Sequence, residues 1–120
     1  MVEKQVMDNK EFAFEAAKIA AGLNCTDVKV VDLRGKSPAT EFFVIATSTS
    51  ARQSRTVADD IDDFAEEAGH ARYGRAGYDI GRWILLDYVD VVVHVFDAES
   101  RDYYQLESLW GDAKEYAVAE

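Results

Sequence analysis

Residues 83–96 constrain the fold more than any other part of the sequence. Residues 83–88 and 91–96 are both rich in β-branched and aromatic side chains, and only Val89 and Asp90 separate the two runs. Runs of this composition favour β-strands, and a two-residue separation favours a tight antiparallel hairpin. The sequence therefore predicts a sheet that contains this hairpin.

Further strands are expected earlier in the chain. Residues 28–33 alternate and are rich in valine, whereas residues 42–47 form a nearly continuous apolar run. A continuous run is typical of a strand that is covered on both faces, and we expect both of these strands to lie centrally in the sheet. Residues 70–73 are a candidate short strand, and residues 74–81, which contain three glycines, are expected to form a loop.

Three helices are predicted. Residues 9–23 carry apolar side chains at helical spacing, and Asp8 precedes them as the N-cap. A second helix follows Ser50, which is its expected N-cap, and Gly69 ends it. A last helical stretch begins near residue 98 and is followed by a loosely held tail.

The predicted order of elements is α-β-β-α-β-β-β-α. The fold class expected from this order is α/β (α+β), with a mixed, mostly five-stranded sheet and helices packed on it. The whole chain of 120 residues is expected to form a single domain, with its core at about residues 8–112 and frayed ends.

Charge and cysteine content exclude several functions. The net charge of -10 and the pI of about 4.6 argue against DNA as a partner and favour a basic one. The single cysteine, Cys25, is typical of a reducing compartment. No apolar run approaches the ~20 residues that span a bilayer, so we expect a cytoplasmic protein with no membrane partner.

Three ordered strings of sequence resemble the ribosomal silencing factor (iojap-like) family. They are FFVIATSTSARQ at residues 42–53, WILLDYVDVVVHVF at residues 83–96, and a C-terminal set made of ESR, YYQLE and LW within residues 99–110. The similarity covers about residues 8–112.

The resemblance implies a nucleotidyltransferase-like topology with no known enzymatic activity and no cofactor. It implies binding to protein fourteen of the large ribosomal subunit, which blocks joining of the small subunit and lowers translation. Some members form homodimers, so a homodimer is a further expectation. The alternative function is a nucleotide-binding enzyme of nucleotidyltransferase type, in which residues 48–50 hold phosphates and carboxylates hold Mg²⁺.

The resemblance also assigns a protein-binding site to the hairpin: Trp83, Leu85, Asp87, Tyr88 and Asp90. Trp83 and Tyr88 are the expected aromatic anchors, although their odd separation places them on opposite faces of an ideal strand. The alternatives are a core position for Trp83 and a solvated rim position for Tyr88. Asp87 and Asp90 either bond the backbone of the turn or meet basic side chains of the partner.

The remaining polar candidates are interpreted as structural. His94 lies in the middle of a strand and has no nucleophile or ligand set beside it in the sequence. Residues 48–50 are expected to cap a helix, and the acidic residues at 59–63 are expected to face solvent without a metal. The family commonly has glycine where this chain has Val89. Since a valine adopts a positive φ only at a cost, we expect a different turn geometry there.

Overall fold

The structure is a computed structural model that describes residues 6–104 and 111–118, with side chains for residues 6–101 and 111–118. Within that part of the chain, the elements are α1 (Asn9–Gly22), β1 (Thr26–Asp32), β2 (Phe42–Ser48), α2 (Ala51–Glu67), β3 (Gly74–Ala76), β4 (Trp83–Asp87), β5 (Val91–Asp97), α3 (Ala98–Tyr104) and β6 (Lys114–Ala117). The predicted order is confirmed, and one further strand follows it. The prediction that the last helical stretch continues through residues 105–110 falls outside the described residues.

The predicted N-caps of α1 and α2 are confirmed. The carboxylate of Asp8 accepts hydrogen bonds from the backbone N–H groups of Lys10 and Glu11, at 2.7 and 3.2 Å. The hydroxyl of Ser50 accepts one from the N–H of Gln53 at 3.0 Å. These bonds satisfy backbone donors that the first turn of a helix leaves without partners, which is why each helix begins where it does.

The six strands form one sheet in the order β3-β4-β5-β2-β1-β6. β2 and β5 are parallel, and all other neighbouring strands are antiparallel. The predicted mixed sheet with helices packed on it is confirmed, with six strands rather than five. β2 lies at the centre as its apolar run predicts, whereas β1 lies one position from the edge because β6 pairs beyond it.

Two predictions about strands are wrong. β3 forms at Gly74–Ala76, inside the predicted loop. The strand begins late because the N–H of His70 bonds the carbonyl of Ala65 at 2.9 Å, which ties residue 70 to the turn that ends α2. β6 forms in the predicted tail. Three of its four residues are exposed, and its sequence, KEYA, has no apolar alternation that indicates a strand.

Helices α1 and α2 cover one face of the sheet, and the main hydrophobic core lies between these helices and the sheet. The ring of Phe12 lies at its centre, stacked on His70 with centroids 4.2 Å apart and edge-on to Tyr88 at 5.2 Å. Small side chains of α1, among them Ala13, Ala16 and Ala20, are fully buried and allow the helix to approach the strands closely. Burial of this apolar surface is the main stabilisation of the fold.

A second, smaller cluster lies on the opposite face, which we call the open face because neither α1 nor α2 covers it. It consists of Val31, Leu33, Ile45, Phe96 and Ala113, with Phe43 and Trp83 packed against it. The part of this face beside the β4–β5 turn is open to solvent among the described residues. None of the described helices combines the length and the apolarity needed to cross a membrane.

Candidate functional site

A depression of about 470 Å³ lies on the open face beside the β4–β5 turn. We call it the open-face depression. Apolar side chains form most of its floor, and its position follows from the strand register, which pairs Phe43 with Val92 and Leu85 with His94. Its lining consists of Ser37, Ala39, Thr40, Phe43, Tyr73, Leu85, Asp87, Val89, Val92 and His94. A concave apolar surface with few polar groups is the usual form of a binding site.

Trp83 lies on the open face next to this depression and is partly exposed. Its ring packs on Phe96, with centroids 4.9 Å apart, and its indole N–H donates to Nδ1 of His94 at 3.2 Å. The backbone of Gly77 packs closely against that of Trp83, because a Cβ on Gly77 would lie 1.9 Å from the carbonyl oxygen of Trp83. Gly77 has a φ of +79°, so both its conformation and its neighbour require glycine. Trp83 therefore belongs partly to the second cluster and partly to the surface.

Leu85 and Asp87 share the open face with Trp83 because they follow it in β4 by two and four residues, and alternate side chains of a strand lie on the same face. Both are partly exposed and line the depression. Of the lining residues, Asp87 is the charged one, and its carboxylate also accepts the N–H of Val89 at 2.7 Å. The predicted local bond of Asp87 is thus confirmed. Asp90 is exposed at the other side of the turn, outside the lining of the depression.

Tyr88 lies on the opposite face, as its odd separation from Trp83 predicts. Only 5% of its surface is exposed, and its hydroxyl donates to the carboxylate of Asp62 on α2. Burial and this bond raise the pKa of Tyr88 well above its usual range. The solvated rim position considered for Tyr88 is therefore wrong. The structure brings Trp83, Leu85 and Asp87 together on one face and places the ring of Tyr88 in the core, away from them.

The β4–β5 turn adopts the geometry that the sequence argued against. Val89 has a φ of +72°, in the left-handed region, and half of its surface is exposed. Hydrogen bonds fix the turn: Asp87 holds the N–H of Val89, Tyr88 accepts from Asp90 at 3.0 Å, and Val91 accepts from Tyr88 at 2.9 Å. The expectation of a different turn geometry is wrong because these bonds, together with the paired strands, impose the positive φ.

His94 is buried, with 4% of its surface exposed, and lies at the floor of the depression. Burial lowers its pKa to about 4, so the ring is neutral at physiological pH. Nδ1 accepts from Trp83, which leaves the hydrogen on Nε2, where no acceptor is present among the described residues. The prediction that His94 is a structural residue with its bonds satisfied is therefore confirmed for one ring nitrogen only.

The other polar candidates have structural partners. The hydroxyls of Ser48 and Ser54 bond each other in the core, and Ser50 caps α2. Asp62 is not solvated as predicted, because it also pairs with Arg72. The described residues contain no group of three His, Cys, Asp or Glu side chains that could hold a metal ion.

Sequence reasoning missed Thr40, Phe43 and Val92 as lining residues. The available signal was the alternation of each strand, since Val92 and His94 share one face of β5. That signal locates a site only when the register between strands is known, and the parallel pairing of β2 with β5 joins segments far apart in the chain.

Comparisons with known proteins agree on one family. Residues 6–120 match the family model described as ribosomal silencing factor during starvation. The Bacillus subtilis protein named ribosomal silencing factor RsfS is 38% identical over 107 residues, which are 89% of this chain and 91% of that protein. The chloroplastic protein Iojap of Arabidopsis thaliana is 37% identical over 105 residues, which are 85% of this chain and 42% of that protein.

Solved structures from two bacteria share the fold. The crystal structure of a protein from Chromobacterium violaceum superimposes with a TM-score of 0.83 and 31% identity, covering 95% of each chain. A crystal structure from Bacillus halodurans superimposes with a TM-score of 0.78 and 32% identity, covering 92% of this chain and 100% of that one. The chain therefore belongs to the ribosomal silencing factor family.

Proposed function

We propose that this protein silences ribosomes by binding protein fourteen of the large ribosomal subunit through the open-face depression. Occupying that position excludes the small subunit, so translation falls. The mechanism is steric and requires neither a cofactor nor a catalytic group, and it operates in the cytoplasm, where ribosomes work. The observation that carries the proposal is the depression itself, which combines an apolar floor with partly exposed Trp83, Leu85 and Asp87 in a chain of this family.

The chemistry of the depression fits a basic protein surface. Phe43, Leu85 and Val92 offer apolar contact area, and the aromatic ring of Trp83 beside them is typical of an energetically dominant contact. Asp87 adds a carboxylate at the edge, and the whole chain carries a net charge of -10. Charge of this sign attracts a basic partner over a distance, while the apolar floor supplies most of the affinity.

Tyr88 contributes to this proposal through its position rather than its ring. Its backbone N–H bonds the carbonyl of Val91 and so closes the turn that displays Asp87 and Val89. Asp90 lies exposed beside the same turn, where we assign it a steering role towards basic side chains of the partner.

Co-sedimentation with purified large subunits tests the proposal. The unchanged protein is expected to travel with large subunits through a sucrose gradient at moderate salt and to prevent 70S formation when small subunits are added. Leu85→Ser removes apolar area from the floor of the depression and is expected to weaken binding by roughly tenfold to a hundredfold. Recovery of the unchanged protein at the top of the gradient would contradict the proposal.

Ile80→Ser is the matched control for that experiment. Ile80 is 74% exposed, apolar and outside the lining of the depression, so its replacement removes similar apolar surface from another site. We expect it to bind large subunits as the unchanged protein does. Equal loss of binding by both variants would show that the assignment to this face is wrong.

The alternative, a nucleotide-binding enzyme, has less support. The hydroxyl of Ser50 already accepts the backbone N–H of Gln53 at the start of α2. The hydroxyl of Ser48 is buried and bonds the hydroxyl of Ser54. Relatives of this chain are named as silencing factors, which is a regulatory role. Calorimetry with ATP or GTP and Mg²⁺ is expected to give no binding heat.

A homodimer stays a prediction that sedimentation equilibrium tests.

A further inference from the structure

Two residues that line the open-face depression each carry a buried polar side-chain atom without a hydrogen-bond partner. The atoms are the hydroxyl oxygen of Thr40 and Nε2 of His94, and the described part of the chain contains no others. Leaving such a group unpaired costs free energy, and native structures contain few of them.

The chemistry of the His94 atom is fixed by its neighbours. The indole N–H of Trp83 donates to Nδ1 at 3.2 Å, so Nδ1 needs a lone pair and the hydrogen of the neutral ring lies on Nε2. Phe43 packs edge-on to the ring at 4.7 Å and helps to hold its orientation. Nε2 is therefore a hydrogen-bond donor of fixed position that has no acceptor in the described part of the chain.

The second atom lies elsewhere along the same depression. Thr40 precedes β2 beside the β4–β5 turn, whereas His94 pairs with Ile45 in the middle of β2. The two unpaired groups are thus separated along the strand direction, with Phe43 and Val92 between them. An extended protein segment presents backbone groups at intervals along its length, so it suits such a line of groups.

Charge restricts the acceptor. Asp87 is the charged residue of the lining, and the chain as a whole is strongly acidic. A carboxylate or phosphate would be repelled there, whereas a main-chain carbonyl is a neutral acceptor. An adjacent Lys or Arg on the same segment would pair with Asp87.

We propose that the open-face depression recognises an extended, basic protein segment by its backbone, with Nε2 of His94 donating to a main-chain carbonyl and the hydroxyl of Thr40 pairing with a second backbone group. The proposal rests on the proposed function, for which it names the recognition chemistry: the segment belongs to the ribosomal partner. His94 and Thr40 are then specificity-determining residues that sequence reasoning assigned no binding role.

The test compares variants that separate the two nitrogens of His94. His94→Asn keeps an acceptor for the indole N–H of Trp83 but removes the outer donor, whereas His94→Gln carries an amide donor out to the position of Nε2. Thr40→Val removes the hydroxyl and keeps the shape. Affinity for purified large subunits is measured by competition with a labelled copy of the unchanged protein, and thermal melting of each free protein is recorded.

We expect His94→Asn and Thr40→Val each to weaken binding by about tenfold, the usual effect of one lost hydrogen bond, and His94→Gln to bind more tightly than His94→Asn. Thr40→Val is also expected to melt at the same temperature as the unchanged protein or higher, because it removes an unpaired buried group. A purely structural role would instead lower the melting temperature and leave the affinity of the folded protein intact.

The outcomes separate this inference from the proposed function. If the unchanged protein fails to bind large subunits, both are overturned. If it binds, and Thr40→Val and His94→Asn bind equally well while folded, the inference alone is overturned and docking is left to the apolar floor. Thr40→Val keeps the test decisive if a variant of His94 does not fold.

Discussion

Val89 is a β-branched residue in a conformation that glycine adopts with little strain. Its φ of +72° places it in the left-handed region, which costs an L-residue roughly 1–2 kcal/mol. The carboxylate of Asp87 lies 2.7 Å from its N–H, and half of the valine side chain faces solvent at the edge of the open-face depression. Strain retained beside a candidate site is consistent with use of that side chain in binding.

Val89→Gly is therefore expected to stabilise the protein. Relief of the left-handed strain exceeds the entropic cost of a glycine, so the free energy of unfolding should rise by about 0.5–1 kcal/mol in urea titrations. Ile80→Gly is the control, since Ile80 is also exposed but has no positive φ, and it should destabilise. A lower free energy of unfolding for Val89→Gly would contradict the claim that Val89 is strained.

His94 makes the free energy of unfolding depend on pH. Burial lowers its pKa from 6.5 to about 4 in the folded protein, so below pH 6.5 the unfolded chain binds a proton that the folded chain does not. Stability contributed by the neutral ring is present above the unfolded pKa and is lost as the pH falls towards about 4.

Between about pH 7 and about pH 4, the free energy of unfolding should decrease by up to about 3 kcal/mol through this group. Because carboxylates also titrate in this range, the measurement is the difference between urea titrations of the unchanged protein and of His94→Gln. The variant should show the smaller acid loss. Parallel pH profiles would mean that His94 titrates normally in the folded protein.

The β4–β5 hairpin separates its side chains between two environments. Trp83, Leu85 and Asp87 face the open side, whereas Ile84, Leu86 and Tyr88 face α1 and α2. The hairpin is therefore both a wall of the main core and the carrier of the proposed binding face. A change on one side should affect stability, and a change on the other should affect binding.

Tyr88→Phe tests that separation. The hydroxyl of Tyr88 donates to the carboxylate of Asp62, so its removal should lower the free energy of unfolding by about 1–2 kcal/mol. Affinity for large subunits should be unchanged at temperatures where the variant is folded. Weaker binding with unaltered stability would instead make Tyr88 a contact residue, as the family resemblance suggests.

The sequence was sufficient for the elements that have strong local signals. The caps at Asp8 and Ser50, the hairpin around Val89 and the opposite faces of Trp83 and Tyr88 all follow from spacing within a few residues. These features depend on short-range geometry, which repeats in every helix and strand.

The features that escaped prediction depend on contacts between distant segments. β6 is a mostly exposed edge strand that exists because it pairs with β1, and β3 starts late because the end of α2 holds His70. The open-face depression requires the parallel register of β2 with β5, which places Phe43 beside Val92. No local pattern encodes that pairing, so Thr40 and His94 could not be recognised as neighbours of one cavity.

The whole molecule carries an excess of acidic groups that should govern how it approaches a partner. With a net charge of -10, association with a basic surface should weaken as salt increases, by roughly tenfold between low and high salt. The decrease should be in the association rate, measured by stopped-flow with a fluorescently labelled copy of the protein. Asp87→Asn should show a smaller dependence on salt, and an association rate that rises with salt would contradict electrostatic steering.

The orientation of the protein on the ribosome is the central claim, and photo-crosslinking tests it most directly. Tyr73 is 79% exposed and lines the open-face depression, whereas Ile80 is 74% exposed outside it, so each can be replaced by a benzophenone-bearing amino acid. Illumination in complex with large subunits, followed by mass spectrometry, should yield crosslinks to protein fourteen from position 73 and few from position 80. Crosslinks to protein fourteen from position 80 alone, or from neither position in a complex that co-sediments, would contradict the account.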